Sequence, residues 1–483
     1  MNTLWNEGAL PAFPRLAESL RADAAVVGGG MAGILTAFFL HESGLRVVLL
    51  EEDRLAGSVT ARTTARISAQ RGLFCARLIR DFGMHLARQY LAAQLHAVRQ
   101  YRDLIAARGI TCDFREQRSC VYAAPNGPDL LEELEAARAL GAPVTLRAID
   151  ALPFPVREAL CFEHQAQFAP LPFLAALLPG LTVFEHSPVR DIRGRTVYCD
   201  GGRVEAGQIV VATRWPMLER WGLYRLRLRQ EQGCLLALEG APPLDGWYLD
   251  AGTEGWSFQQ YGDRLILGGG RRRCGTGGDS FAALRAQARL WFPQAHEVGA
   301  WSTQDCVTLD GVPYIGQYSP ATPYLHVATG FGGCGMTGSM VAATLLTASL
   351  LGRHYPYADV FSPARFFPSA SIEAMMEGAL YAVRGKAQRL STAAERAAAG
   401  IAPGHAGFVR HHGRVYGVYR REDGTLCAVS PVCPHRGARL QWNDEEKTWD
   451  CPCHGSRFDC TGRRLYHPAK TALQQMELGP WEV

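Results

Sequence analysis

A strong charge imbalance is missing from this 483-residue chain: 50 Lys and Arg against 46 Asp and Glu leave a formal +4. So slight an excess gives no electrostatic case for a nucleic-acid partner, and a small-molecule partner is expected instead. An export signal is missing too. MNTLWNEGALPAFPRL has neither a basic start running into an apolar core nor a twin arginine, so a cytoplasmic location is expected. No apolar run reaches membrane length. The uncharged stretch at residues 311–352 is broken in its first half by Pro313, Pro320 and Pro323, leaving roughly 15 helical residues where a span needs about 20. A buried helix is expected there, and no membrane span. Repeats and low-complexity tracts are absent. What remains is 47% apolar and 20% charged, the make-up of a globular protein too long for one core, so two or three domains are expected. Cysteine is not scarce, at 14, but most stand singly in apolar context, as Cys75, Cys161 and Cys234 do, and reduced thiols are expected.

Residues 23–52, DAAVVGGGMAGILTAFFLHESGLRVVLLEE, read as an apolar strand, a glycine turn, an uncharged helix, a Ser-Gly stop and a second strand. Gly28, Gly30 and Gly33 fit G-x-G-x-x-G, and Glu51 ends the second strand 18 residues after the third glycine. In such a βαβ unit the glycines let backbone and helix approach a pyrophosphate, the helix N-terminus stabilises its charge, and the acid accepts from ribose hydroxyls. A bound dinucleotide is expected. The sole candidate for a second fingerprint, GGGRRRCG at 268–275, has Arg273 in the third glycine slot, which argues against a nicotinamide site.

Apolar residues then recur at helical spacing and predict one or two long helices up to Gly109. Residues 182–213 are strand-rich, with a hairpin signal at Asp200-Gly201-Gly202, and a second β-rich region lies between Trp215 and Trp301. The order predicts a nucleotide-binding fold, at about 20–85, 150–215 and 300–355, interrupted by a mostly antiparallel substrate domain at about 86–149 and 216–299. Arg225, Arg227 and Arg229 alternate as along one face of a strand, a solvated or intersubunit face. A helical connector is expected at 363–402, and the short strands, Gly and Pro of 403–483 predict a small all-β domain. The class is α/β followed by β.

The small domain holds Cys433-x-His435 and, fifteen residues on, Cys451-x-x-His454. Two thiolates and two imidazoles could hold zinc in a tetrahedron. The flanks, CPH in the first loop and HGSRFD after the second cysteine, instead resemble the loops of Rieske [2Fe–2S] domains, in which two thiolates hold one iron and two imidazoles the other.

The first ~360 residues resemble the FAD-dependent oxidoreductases of the glycine oxidase and D-amino acid oxidase superfamily, and the whole chain resembles a bacterial group in which such a flavoenzyme is fused to a Rieske domain. The resemblance rests on VVGGGMAGILTA, on GSVTARTTARISAQ at 57–70, on QAQFAPLPFL at 165–174, and on DGVPYIG and ATGFGGCGMTGS within 310–339. It implies a flavoprotein spanning 1–362, with a Rossmann-like domain of glutathione-reductase type, and FAD held by Gly28, Gly30, Gly33, Glu51, Thr63, Thr64, Val189, Asp310, Gly330, Gly335, Met336 and Thr337. The amides near Gly335 to Thr337, opening the uncharged helix, would stabilise the negative edge of reduced flavin. Non-covalent FAD is expected, because Thr303 stands where sarcosine-oxidase-like relatives have their tethering cysteine. Cluster ligands would be Cys433, His435, Cys451 and His454. High-potential Rieske proteins carry a disulfide where this chain has Ala438 and Cys453, and a tyrosine where it has Phe458, while Ser456 keeps their hydroxyl. Fewer donors imply a potential in the lower part of the roughly −150 to +300 mV range.

The resemblance further implies oxidation of an amine or amino acid by hydride transfer to FAD; because a flavin holds one or two electrons and the cluster one, single electrons are expected to pass through the cluster to a soluble acceptor. An oxygen-using oxidase with a structural Rieske domain, or a non-enzymatic redox-responsive regulator, are the alternatives. Arg62, Arg271, Arg272 and Arg273 are candidates for holding a substrate carboxylate. Arg71, Ala169 and Cys334 depart from the group's pattern and are expected to reshape the substrate pocket.

Overall fold

A computed structural model describes residues 4–5, 10–218, 222–252, 255–276, 280–390 and 400–476. The last residues of the expected all-β domain, and 391–399 of the expected connector, lie outside them.

The glycine fingerprint folds as read. β1 (Ser19–Val27) leads through Gly28–Gly30 into α1 (Met31–Glu42) and back to β2 (Val47–Leu50), which pairs parallel with β1. The third glycine is required by contact: a Cβ on Gly33 would stand 1.7 Å from the Gly28 carbonyl oxygen, so only glycine lets the helix close on the turn. Strands Leu325–Thr329, Gly202–Val211, β1, β2 and Thr182–Phe184 form, in that order, a parallel centre of an eight-stranded sheet. α1 and the helix Gly335–Leu350 carry no Asp, Glu, Lys or Arg except the terminal Glu42, and most of their residues are buried in one core. That second helix is the one expected from the uncharged stretch, and among the described residues no helix is long and apolar enough to cross a membrane. α2 (Cys75–Arg108) realises the long helical pattern, bent at Gly83 and stopped by left-handed Gly109. Its first turn is capped by buried Glu133, which accepts from the N–H groups of Phe74, Cys75 and Ala76 at 2.7–2.9 Å.

The second sheet has nine strands, antiparallel except where Gly246–Asp250 runs parallel to Arg115–Ala123. It takes in Arg66–Ile67, Glu158–Gln167 and His296–Thr308 as well, so the substrate-side sheet reaches past the expected limits at 150 and 300. Two further expectations are corrected. Cys120 and Cys161 face each other across neighbouring strands and are joined by a disulfide, where single cysteines in apolar context predict reduced thiols. Arg225, Arg227 and Arg229 do not share a strand face, because the helical turn Tyr224–Arg227 precedes the strand Leu228–Glu239. Arg227 instead packs 4.1 Å from the Tyr314 ring centroid and donates to the Pro363 carbonyl at 2.6 Å, and Arg229 pairs with Glu231 at 2.9 Å.

After the helix Pro368–Leu390 come a three-stranded sheet (Ala406–His411, Arg414–Arg420, Leu426–Val429) and a four-stranded one (Gln441–Asn443, Thr448–Asp450, Arg457–Asp459, Arg464–Tyr466). Their core is Leu440, Trp449, Phe458 and neighbours.

Candidate active site and cluster loops

The carboxyl ends of β1 and β2, the glycine loop before Gly335 and the second sheet surround a cleft of about 1070 Å³. Gly28, Gly30, Glu51, Thr63, Thr64, Val189, Gly330, Gly335 and Met336 line it. Gly33 packs behind Gly28, and Thr337 turns away to donate to the Ser68 carbonyl at 3.1 Å. Asp310 does not reach the cleft. It is buried against Arg365, whose Nε and Nη2 donate to it at 2.9 and 3.0 Å, and it also accepts from the Val312 N–H. Glu51 accepts from the Gly29 N–H at 2.6 Å and the Asp53 N–H at 3.0 Å; burial pushes its carboxyl up to about 7. A half-buried acid at the end of β2, one oxygen bound to the glycine turn and the other to the loop that follows, fits a ribose diol.

On the substrate side the cleft gathers Arg66, Arg71, Trp247, Arg271, Asp305 and Cys334. Arg271 is tied to Glu231 at 2.7 Å and Arg71 to the Gly311 carbonyl. Arg66 lies over the Trp247 ring, 3.2 Å from its centroid, and its Nη1 is buried without a hydrogen-bond partner. Burial brings its guanidinium down to about 9, so this is the cleft cation most in need of an anion. Burial likewise pushes Asp305 up, against the pull of Arg271, Arg214 and Arg71. Arg62 lines the cleft, but Arg272 and Arg273 do not. Arg273 reaches the other domain, donating to the Cys453 carbonyl at 3.0 Å. Ala169 does not line the cleft either; it is buried where its N–H donates to the Cys112 carbonyl at 2.7 Å. Arg66, Arg214, Trp215 and Trp247 carry no signal of their own in the sequence; only the stretch GSVTARTTARISAQ, which contains Arg66, hints at its place.

The four expected cluster ligands come together on two loops. Cys433 and Cys451 are buried and share a hydrogen bond that draws the Cys433 thiol down, with the Ser456 hydroxyl beside it. His435 and His454 meet edge to face at 4.8 Å, their Nδ1 atoms shut off from water. Two thiols paired and two imidazoles paired suit the two irons of a [2Fe–2S] cluster.

These loops lie against the flavoprotein domain. The His454 ring meets Trp215, a cleft residue, at 5.9 Å. Gln230 Nε2 donates to the carbonyls of His454 and His467 at 2.6 and 2.9 Å, and Gln304 Nε2 to that of Gly455 at 2.7 Å. Gly455, at φ +74°, is needed because a Cβ there would stand 2.7 Å from Gln230 Cβ. Beside them Arg457, fully buried, donates to Glu446 at 2.6 Å and Asp450 at 2.9 Å, while Ser302 and Gln232 of the other domain donate to Glu446 at 2.6 and 2.7 Å. Burial works against the Arg457 charge, and the two carboxylates more than offset it.

Comparison with known proteins agrees with this geometry. The profile of FAD dependent oxidoreductases (DAO) matches residues 23–349, and that of the Rieske [2Fe-2S] domain residues 394–477. YhfW of Bacillus subtilis, named for a Rieske 2Fe-2S iron-sulfur protein, is 33% identical over 504 residues, covering 99% of this chain and 97% of its own. A cytochrome b6-f complex iron-sulfur subunit of Cyanophora paradoxa is 44% identical over 55 residues, covering 11% of this chain and 23% of its own. Glycine oxidase from Geobacillus kaustophilus superposes with a TM-score of 0.61 at 22% identity, over 72% of this chain and 100% of its own. L-amino acid deaminase from Proteus vulgaris gives 0.59 at 21%, over 75% and 97%. The two structural likenesses speak to the fold, and the profile and the full-length relative to the family. The chain belongs to the FAD-dependent oxidoreductases of the DAO family, carrying a Rieske [2Fe–2S] domain behind the flavoprotein fold.

Proposed function

We propose that the protein oxidises an amino-acid-type amine in the cleft and delivers the electrons singly, by way of its Rieske domain, to an external acceptor. Bound in these sites, FAD supplies a hydride acceptor and the cluster a one-electron carrier. Arg66 anchors the substrate carboxylate: its Nη1 is buried and unsatisfied at the wall it shares with Arg271 and Asp305, and its stacking on Trp247 fixes the plane of the fork. Arg271, held by Glu231, adds positive potential at the same wall, and Asp305 offers an acceptor for the substrate ammonium. Trp247 and the glycine loop exclude water from the reacting carbon.

The observation that carries the relay is the contact of the His454 ring with Trp215. An imidazole ligand turned toward the flavin cleft, rather than toward solvent, is placed to receive electrons from within the chain. Anaerobic mixing of the holoprotein with a panel of amino acids tests both halves. Flavin bleaching followed by the EPR signal of a reduced cluster is expected, slowed at the second step alone by Trp215→Leu. Flavin that bleaches while the cluster stays oxidised would sink the relay, and no bleaching by any amino acid would sink the substrate class.

A further inference from the structure

The flavin cleft has a wall that the flavoprotein domain does not make. Arg464, Leu465, Tyr466 and His467, at the end of the Rieske domain's four-stranded sheet, line it together with Arg457. Glu52 is the residue after the ribose-facing acid Glu51. It receives Arg464 Nη2 at 2.9 Å and lies 3.0 Å from His467 Nε2, which fixes this segment at the nucleotide end of the cleft. Tyr466 is buried and presents its ring to three cleft arginines, Arg214 at 4.1 Å, Arg457 at 5.7 Å and Arg62 at 5.9 Å from the centroid, and of these Arg457 is already matched by Glu446 and Asp450. Arg214 keeps a buried Nε with no hydrogen-bond partner. Arg62 and Arg214 share the cleft with Gly28–Met31, the backbone suited to a dinucleotide's diphosphate.

We propose that the Rieske domain completes the FAD site: Tyr466 holds Arg62 and Arg214 against the diphosphate-bearing half of the cofactor, and the tie from Glu52 to Arg464 and His467 closes the wall. A guanidinium stacked on an aromatic face is held in place while its N–H groups stay available to an anion. The small domain thereby contributes cofactor affinity as well as a cluster, and the inference stands whether or not electrons pass between the two sites.

The test is fluorescence titration of FAD into FAD-stripped, cluster-loaded full-length protein. Tyr466→Ala is expected to raise the FAD Kd about tenfold, with iron and acid-labile sulfide retained, because Arg62 and Arg214 lose the ring that holds them. Tyr466→Phe, which keeps the ring face, is expected to stay within about twofold of wild type. A wild-type Kd in Tyr466→Ala protein with its full iron content would overturn the proposal. Should that variant lose its cluster, Glu52→Gln and Arg464→Met cut the same wall from either side. A several-fold rise in Kd in both supports the proposal, and no rise in either overturns it.

Discussion

The flavin cleft leaves guanidinium groups unmet where the cluster loops have their backbone carbonyls and their buried Arg457 paired. Around the cleft, Arg66 Nη1 and Arg214 Nε are buried with nothing to bond, and Glu51 is an acid pushed up to about 7 by burial. Around the cluster, the carbonyls of Cys453, His454 and Gly455 are all taken by Arg273, Gln230 and Gln304 of the other domain, and buried Arg457 is matched by two carboxylates. Unmet donors cost free energy in the empty site and return it when a ligand arrives. Met ones return nothing to a ligand and instead fix orientation. The cleft is thus organised to take up and release molecules, and the cluster loops to stay where they are.

The sharpest way to break this contrast is to unbalance the fixed side. Arg457→Met keeps most of the volume but leaves Glu446 and Asp450 buried without their cation. A loss of about 3–5 kcal/mol is expected in chemical denaturation followed by cluster absorbance. A loss below about 1 kcal/mol would mean that the seam is wetter and looser than its geometry indicates.

A smaller effect is expected from Gly455→Ala, where positive φ and the approach to Gln230 combine, at about 1–3 kcal/mol. Its signature is local: the flavoprotein half keeps its stability while the cluster absorbance is lost at lower denaturant. Gln304→Ala removes one donor to the same loop and is expected to destabilise by about 1 kcal/mol. Equal damage from the corresponding change on the cleft side, Arg66→Met, would erase the distinction. The contrast requires that variant to be neutral or slightly stabilising in ligand-free protein while weakening carboxylate binding.

The same contrast explains what could be read from the chain. Gly28, Gly30, Gly33 and Glu51 form a pattern because one turn, one helix and one strand hold them within a few residues, and the Cys-x-His and Cys-x-x-His loops are equally local. The seam has no such pattern. Tyr466 meets Arg214, and Gln230 meets His454, only after two domains have docked. Arg66 sits in a polar stretch like many others until Trp247, on a strand far along the chain, slides beneath it. Asp310 belongs to a flavin motif, yet its partner is Arg365, which no motif includes. Strand register decided two more cases: it set Cys120 opposite Cys161, and one helical turn before Leu228 took Arg227 off the face that alternation assigned to it.

Two adjacent acids at the cleft give the finest version of the comparison, because one is bound only by backbone N–H groups and the other is tied across the seam to Arg464 and His467. Burial raises Glu51 from its ordinary 4.5 to about 7. For Glu52 burial also acts upward, but the hydrogen bond and charge of His467, with Arg464, hold it at about 2. The signs follow from which state binds more protons. For Glu51 the folded protein is the tighter proton binder between pH 4.5 and 7, so its contribution is fully present below 4.5 and fades as pH rises through 7. For Glu52 the unfolded chain is the tighter binder between 4.5 and 2, so its contribution is present above 4.5 and fades as pH falls toward 2. In ligand-free protein, Glu51→Gln should therefore flatten the decline of stability between pH 5 and 7, and Glu52→Gln the decline below pH 4.5. Glu52 is about one-third exposed, so its slope should be the shallower and the first to be screened by salt. Denaturation midpoints across that pH range for the two variants would show opposite changes. Changes of the same sign would mean that both acids face one environment and that cleft and seam are not distinct.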